Sequence, residues 1–168
     1  EEAKGFSVET TFNDDIVSVE QVLPILLEQC DIVATRMRRK EKKCTSVSVT
    51  FRTLDFKNKS HQTTLANATD LTDEIYKNAK RLFVESWKGE PLRLIGVALT
   101  NLTDESFEQM SLFEDNEQKE RHRKLDATMD AIRQKFGNDK ITRASIMNSN
   151  TGIARKARAQ MKNEDEKK

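Results

Sequence analysis

Residues 91–102, PLRLIGVALTNL, alternate large apolar side chains with other residues. In an extended strand Ile95, Val97 and Leu99 lie on one side, because successive side chains of a strand point to opposite faces. The other side carries Leu94, Gly96, Ala98 and Thr100. A period of two is typical of a strand with one buried face, so this segment predicts the last strand of a sheet whose faces differ in chemistry.

The same period predicts three earlier strands, at residues 7–12, 45–55 and 60–65, with a turn at 13–15. These segments are rich in the Thr, Val and Phe residues that favour strands. In the segment 45–55, Val47, Val49 and Phe51 share one side, which we expect to face the core.

Two helices are predicted between these strands. Ser18 and Gln21 have the spacing of a capping box, and the apolar residues after them recur at intervals of three and four. The second helix spans about residues 70–87, and Asp70 or Thr69 is expected to cap it.

The resulting order, β-α-β-β-α-β, predicts an α+β fold of the ferredoxin-like type. Two helices would cover one face of a four-stranded antiparallel sheet and leave the other face open. We expect a sheet domain over 1–103, a linker over 104–116, a C-terminal helix with a short apolar segment over 117–147, and a disordered tail over 148–168.

Composition sets broad limits on function. The 168 residues include 29 Lys and Arg and 28 Asp and Glu, a net charge of +1, so overall charge alone does not indicate nucleic-acid binding. Cys30 and Cys44 lack a metal-binding spacing and are expected to be reduced, buried thiols. No apolar run approaches the roughly 18 residues of a membrane span. No signal peptide opens the chain, so we expect a cytoplasmic protein whose sequence begins mid-protein.

The predicted open face is polar. Hydroxyl, amide and guanidinium groups on such a face can donate hydrogen bonds to a phosphate backbone, and small residues let that backbone approach closely. The alternative is that the face is polar only because it meets solvent. The residues predicted to contact phosphate are Ser46, Ser48, Thr50, Arg52, Ser60, His61, Gln62, Thr64 and Gly96, with Ala98 beside them.

After the last strand comes a short segment, QMSLF, formed by Gln109, Met110, Ser111, Leu112 and Phe113. A Leu-Phe pair among acidic and polar residues buries little within its own chain, so its side chains are expected to occupy a partner's pocket. The alternative is a turn that packs back onto the domain.

The helix predicted after this segment, at residues 117–136, is highly charged and ends at Gly137. We expect it to be solvated, because its one apolar line is thin. That line consists of Leu125, Met129, Ile132 and Phe136. The alternative is that it docks on this domain, on another domain of the parent protein or on a partner.

No residues suggest catalysis. The sequence lacks a Gly-rich phosphate loop, paired metal ligands and a nucleophile with a base, so no active site, metal or cofactor is expected. His61 and His122 are interpreted as surface groups, and Asp14 and Asp15 as turn residues. An RNA-recognition module of the same element order needs aromatic residues on its open face, whereas Phe51 belongs to the inward set.

Four segments of the chain occur in a telling order: KGFSVETTF (4–12), VSVTFRTLDF (47–56), HQTTL (61–65) and RLIGV (93–97). Together they resemble the C-terminal region of Y-family, lesion-bypass DNA polymerases of the ImpB/MucB/SamB type. Residues 4–12, KGFSVETTF, are similar to the opening Lys-Ser-Ile-Gly-x-Glu-x-Thr-Phe of the little finger domain. Residues 47–56, VSVTFRTLDF, and 61–65, HQTTL, resemble its middle strands. Residues 93–97, RLIGV, resemble its last strand, and QMSLF resembles a motif that binds the bacterial sliding clamp.

The resemblance implies that the open face holds the backbone of primer-template DNA and that the QMSLF segment binds the clamp. It also implies that the parent protein is a translesion DNA polymerase, whose catalytic carboxylates and Mg²⁺ belong to an upstream palm domain absent from this chain. The chain itself is then expected to be no enzyme. Residues 124–145 resemble the tail of the polymerase V-type branch. Leu94 and Ala98 stand where relatives often carry basic residues, which predicts weaker DNA affinity.

A different class of function stays open at this point. The same fold could serve as a ligand-sensing or oligomerisation module whose C-terminal helix pairs with another subunit. Such a module would bind neither DNA nor the clamp.

Overall fold

The computed structural model of the chain describes residues 4–104 and 116–137. Its elements, in chain order, are β1 (Gly5–Ile16), α1 (Val19–Arg39), β2 (Lys43–Thr53), β3 (Asn58–Thr69), α2 (Thr72–Ser86), β4 (Leu92–Thr103) and α3 (Asn116–Phe136). The QMSLF segment and the predicted segments 141–147 and 148–168 lie outside the described residues.

The strands form one antiparallel sheet in the order β1-β4-β2-β3. β1 and β2 therefore run parallel with β4 between them, and β3 and β4 run parallel with β2 between them. These are two interleaved split β-α-β units, each crossed by one helix. The predicted fold class, with two helices on one face of a four-stranded sheet, is confirmed.

The core lies between the sheet and helices α1 and α2. Val47, Val49 and Phe51 all point into it, as the alternation predicts. The Phe51 ring meets Phe83 of α2 edge-on, with ring centroids 5.9 Å apart. Phe83 in turn stacks on Trp87 at 5.2 Å. Aromatic contacts of this kind add to the free energy gained by burying the rings.

Both cysteines are buried and neither forms a disulfide, as predicted. Burial raises the pKa of Cys44 to about 12, because the apolar interior disfavours a thiolate. Cys44 therefore stays a neutral thiol near pH 7.

The start of α1 follows the predicted capping box. Ser18 Oγ accepts a hydrogen bond from the Gln21 N–H at 3.3 Å, and Gln21 Oε1 accepts one from the Val17 N–H at 3.2 Å. Basic residues occupy its last turn, where they complement the negative end of the helix dipole.

Three predicted boundaries are wrong. Residues 13–15 are not a turn, because β1 continues to Ile16 through an irregularity of register between Thr11 and Ile16. β3 extends to Thr69 rather than ending at residue 65. α2 begins at Thr72 with Leu71 as its N-cap, and neither Asp70 nor Thr69 is that cap.

α3 is docked, so the expectation of a solvated helix is wrong. Met129 of the predicted apolar line is 4% exposed, but Leu125 is 47% and Phe136 57% exposed. The buried side of α3 is instead formed by Asp126, Met129 and Arg133, at helical intervals of three and four. The helix ends before Gly137 as predicted, and Gly137 has a φ of 101° that favours glycine.

Buried ion pairs hold α3 against α1. Arg133 donates from Nη2 to Asp31 Oδ2 at 2.6 Å and from Nη1 to Asp31 Oδ1 at 3.2 Å. Arg38 donates to both carboxylate oxygens of Asp130, at 2.7 and 3.1 Å. Paired arginine and aspartate forks of this geometry satisfy charges that would be costly to bury alone. The polar sequence of α3 is therefore compatible with docking.

Candidate nucleic-acid interface

Strand register places one residue from each strand in every row of the open face. The rows, across β1, β4, β2 and β3, are Gly5, Thr100, Ser46 and Thr64; Ser7, Ala98, Ser48 and Gln62; Glu9, Gly96, Thr50 and Ser60; and Thr11, Leu94, Arg52 and Asn58. None of these residues is aromatic, so the open face lacks the base-stacking platform of an RNA-recognition module.

The β2–β3 half of this face brings six of the predicted residues together. They are Ser48, Thr50, Arg52, Ser60, Gln62 and Thr64. Ser48 lies opposite Gln62, and Thr50 lies opposite Ser60 with their hydroxyl oxygens 3.1 Å apart. Ser60 and Gln62 are exposed, whereas Ser48 and Thr50 are half-buried between strands. This group offers hydroxyl and amide donors on one continuous surface.

Arg52 supplies positive charge to that surface. Its Nε donates to Asn58 Oδ1 at 2.7 Å across the β2–β3 pair, which positions the guanidinium on the sheet. No carboxylate forms a salt bridge with Arg52 in the part of the chain that the structure describes. The remaining guanidinium donors can therefore bind an anion, and arginine suits phosphate because its donors form a planar fork.

Ser46 is not available for binding, which corrects its prediction. It lies on the open face by register but is fully buried. The Asn101 amide donates to Ser46 Oγ at 2.7 Å, and the Asn101 backbone adopts a φ of 53°. The side chain of a distant strand residue thus covers the hydroxyl.

Gly96 is likewise not open to a phosphate backbone. A Cβ at this position would lie 2.7 Å from Glu9 Cγ and 3.1 Å from the Val8 carbonyl oxygen. Glycine therefore makes room for the Glu9 side chain, which crosses β4 here. The exposed Glu9 brings a negative charge into the row of Thr50 and Ser60, a feature the sequence analysis missed.

His61 lies on the other side of the sheet from Ser60 and Gln62, because neighbouring strand residues point to opposite faces. It is opposite Val49, and its ring stacks on Phe51 with centroids 6.2 Å apart. It is exposed because β3 is an edge strand. The expectation that His61 is a surface group holds, but its assignment to the phosphate-contacting set is wrong.

The QMSLF segment falls between two anchored elements, although its own residues lie outside the described ranges. Asp104, at the end of β4, pairs with Lys42. Asn116 begins α3, which is docked on α1. The segment is thus joined at each end to the folded domain.

Other acidic and histidine side chains lie outside this group of residues. Over residues 4–104 and 116–137, no three His, Cys, Asp or Glu side chains could together hold a metal ion. Asp14 and Asp15 are exposed on β1, and His122 Nε2 lies 3.5 Å from an Asp73 carboxylate oxygen. None of the described helices is long and apolar enough to cross a membrane.

Comparison with known proteins agrees with the sequence motifs. Residues 3–112 match the model of the impB/mucB/samB family C-terminal domain. DNA polymerase IV of Clostridium acetobutylicum is 41% identical over 147 residues, covering 88% of this chain and 37% of that protein. DNA polymerase IV of Alkaliphilus oremlandii is 35% identical over 156 residues, covering 88% and 39%. The chain thus spans about two fifths of the length of these relatives.

Solved structures agree on the fold. The post-insertion binary complex of Dbh DNA polymerase has a TM-score of 0.54 at 20% identity, over 60% of this chain and 29% of that chain. Because each of the two polymerase IV alignments covers 88% of the chain, both extend over residues 124–145. The chain belongs to the impB/mucB/samB family, whose C-terminal domain it carries.

Proposed function

We propose that the open face holds the phosphate backbone of primer-template DNA. The observation that carries this proposal is the continuous group of donors around Arg52, a cation with no carboxylate partner among the described residues. Contacts of this kind go to phosphates and not to base edges. Binding should therefore tolerate any sequence and weaken steeply with salt.

The second part of the proposal is that the QMSLF segment tethers this domain to a sliding clamp. The QMSLF segment resembles a sliding-clamp motif and is joined at both ends to the folded domain, so clamp binding would hold this domain beside the DNA. Such a tether acts by raising the local concentration of the polymerase at its template. The parent protein is proposed to be a translesion polymerase of DNA repair, acting in the bacterial cytoplasm, with its Mg²⁺ chemistry outside this chain.

The DNA part is tested by removing Arg52 and Gln62 from the open face. The double Arg52→Ala, Gln62→Ala chain should bind a labelled primer-template duplex about tenfold more weakly at low salt, because a charged and a neutral phosphate contact are lost. The slope of log affinity against log salt should fall by about one for Arg52→Ala alone.

Arg81→Ala is the matched control. Arg81 is exposed on α2, on the other side of the sheet, where it donates to Thr63 Oγ1 at 3.2 Å. Arg81→Ala removes the same charge as Arg52→Ala but should leave the affinity for the primer-template duplex nearly unchanged. Equal losses in Arg52→Ala and Arg81→Ala would mean that DNA binds without regard to the open face, and the proposal would fail.

The clamp part is tested by titrating the chain against a bacterial sliding clamp. Leu112→Ala with Phe113→Ala should abolish binding, because an apolar anchor contributes most of the affinity of a short motif. Leu125→Ala with Phe136→Ala changes the same residue types at exposed positions of α3 and should have no effect. An intact chain that does not bind the clamp would rule out the tether.

No observation favours the oligomerisation module considered above. The buried side of α3 packs on α1 of the same chain through Arg133 and Asp31. That side is therefore unavailable for pairing with another subunit unless α3 first leaves α1.

A further inference from the structure

The hairpin tip between β2 and β3, residues 53–58, carries Phe56 in a backbone conformation that phenylalanine rarely adopts. The Phe56 N–H donates to the Thr53 carbonyl at 3.1 Å, and the Thr53 N–H donates to the Lys57 carbonyl at 3.3 Å. Phe56 closes this turn with a φ of 61°. Turns of this kind normally place Gly or Asn at the left-handed position, because a Cβ there crowds the backbone.

The side chain of Phe56 gains little from the fold in return. It is 73% exposed, more than any other large hydrophobic side chain in the described ranges. The turn itself is held by other groups, since Asp55 Oδ1 accepts from the Thr53 hydroxyl and from the Lys57 N–H. A residue that strains its backbone and buries almost nothing within its own domain suggests a contact outside that domain.

The surroundings of the ring favour an anionic partner. The Arg93 guanidinium carbon lies 5.8 Å from the Phe56 ring centroid, a cation–π contact at the surface. Arg52 and Asn58 belong to the row of the open face that lies next to the hairpin tip. The tip therefore extends the open face at the end where Arg52 lies. An exposed aromatic beside one arginine, at a hairpin tip that a second arginine borders, matches the combination of stacking and phosphate contacts that binds unpaired nucleotides.

We infer that Phe56 packs against a sugar or base of the primer-template while Arg93 and Arg52 bind the flanking phosphates. This inference rests on the proposed DNA-binding function and assigns it a second contact. Phe56 acts as an apolar anchor that holds the duplex in register on the open face. Phosphate contacts alone would leave the duplex free to slide along that face.

The variant that tests this is Phe56→Gly, because glycine suits the left-handed position. Thermal unfolding should show an unchanged or higher melting temperature. Affinity for a fluorescein-labelled primer-template duplex should fall about fivefold or more, as for loss of an aromatic stacking contact. The salt slope should stay the same, because no phosphate contact is removed, whereas Arg93→Ala should lower it by about one.

Phe136→Ala is the matched control. Phe136 is also an exposed phenylalanine, 57% accessible, with the Lys135 ammonium 5.4 Å from its ring centroid. It lies at the end of α3 and should not affect DNA binding. A similar loss for Phe136→Ala and Phe56→Gly would overturn the inference, since any exposed aromatic would then serve.

Other outcomes separate this inference from the proposed function. If Arg52→Ala weakens binding and Phe56→Gly does not, the open face still binds DNA and the role of Phe56 is refuted. If the native chain fails to bind the duplex at low salt, both are refuted. A Phe56→Gly chain with a lowered melting temperature would show that the ring supports the fold, which also overturns the inference.

Discussion

The two faces of the sheet differ in chemistry although they are built from alternate residues of the same strands. Val49 is buried in the core, whereas its neighbour Thr50 lies on the open face beside Ser60. One face is apolar and covered by two helices; the other is polar and uncovered by α1 and α2. Because adjacent residues serve different faces, stability and binding can be changed independently by substitutions one position apart.

The contact between α3 and α1 is a third kind of environment. It is buried like the core, but it is formed by charged side chains. Removing one partner of a buried pair leaves the other charge without compensation, so such contacts are sensitive to single substitutions.

The largest effect is expected on the helix side of β2. Phe51→Ala should lower the free energy of unfolding by about 3–5 kcal/mol, because it removes a fully buried ring and leaves a cavity beside Phe83. The measurement is urea denaturation of the purified chain. Thr50→Ala, one residue away, should change the free energy by no more than about 0.5 kcal/mol. Similar losses in both variants would contradict the division between the two faces.

Arg133→Ala should cause the second-largest loss of stability. It leaves Asp31 buried without its ion pair, a loss of up to about 3 kcal/mol, limited by the free energy with which α3 docks. Hydrogen exchange should show faster exchange in α3 while the sheet stays protected. Adding Asp31→Ala to Arg133→Ala should restore part of the lost stability in a double-mutant cycle.

Lys119→Ala is the control. It removes a partly exposed ion pair with Glu74 and should lower the free energy of unfolding by about 1 kcal/mol or less. Equal effects at both positions would argue against a buried charged interface.

A smaller effect is expected at the start of α2, where α3 supplies a capping group. Asp126 Oδ2 accepts a hydrogen bond from the Thr72 N–H at 3.0 Å and lies 3.4 Å from Arg38 Nη1. Asp126→Ala should lower the unfolding free energy by about 1–2 kcal/mol, and exchange of the Thr72 amide should accelerate. Asp126→Asn retains an acceptor and should lose less. If the alanine and asparagine variants lose the same amount, the capping role is refuted.

The smallest effect concerns the carboxylate on the open face. Glu9→Gln should strengthen binding of primer-template DNA about two- to fivefold at low salt, because it removes a negative charge next to the proposed phosphate path. The gain should vanish as salt screens the charge. Glu85→Gln removes an exposed carboxylate from α2 and serves as the control. A gain of the same size for both would mean that only net charge matters.

The pKa of Arg38 shows why the charged interface is compatible with burial. Burial lowers this pKa, but the hydrogen bond to Asp130 and the charges of Asp126, Asp130 and Asp31 outweigh it, so the pKa is raised overall. Arg38 therefore remains charged although it is half-buried, and it links α1 to α3 and to the Asp70 carbonyl at 2.8 Å.

Much of the fold follows from local pattern. Alternation in β2 and β4 correctly placed Phe51 in the core and Arg52 on the open face, because the period of a strand is a property of its backbone. Alternation in β3 also separates His61 from Ser60 and Gln62. The predicted contact set nevertheless included His61, against that pattern.

The sequence alone is enough to predict the element order, the inward and outward residues of β2 and β4, the start of α1 and the family. Each of these depends on spacing within a short segment. The folded structure was needed to show that Asn101 covers Ser46, that Glu9 crosses Gly96 and that α3 caps α2 and docks on α1. Arg38 and Asp130 are 92 residues apart, and Arg133 and Asp31 are 102 apart. Such contacts depend on how distant segments meet in the fold, which no local period of side chains records.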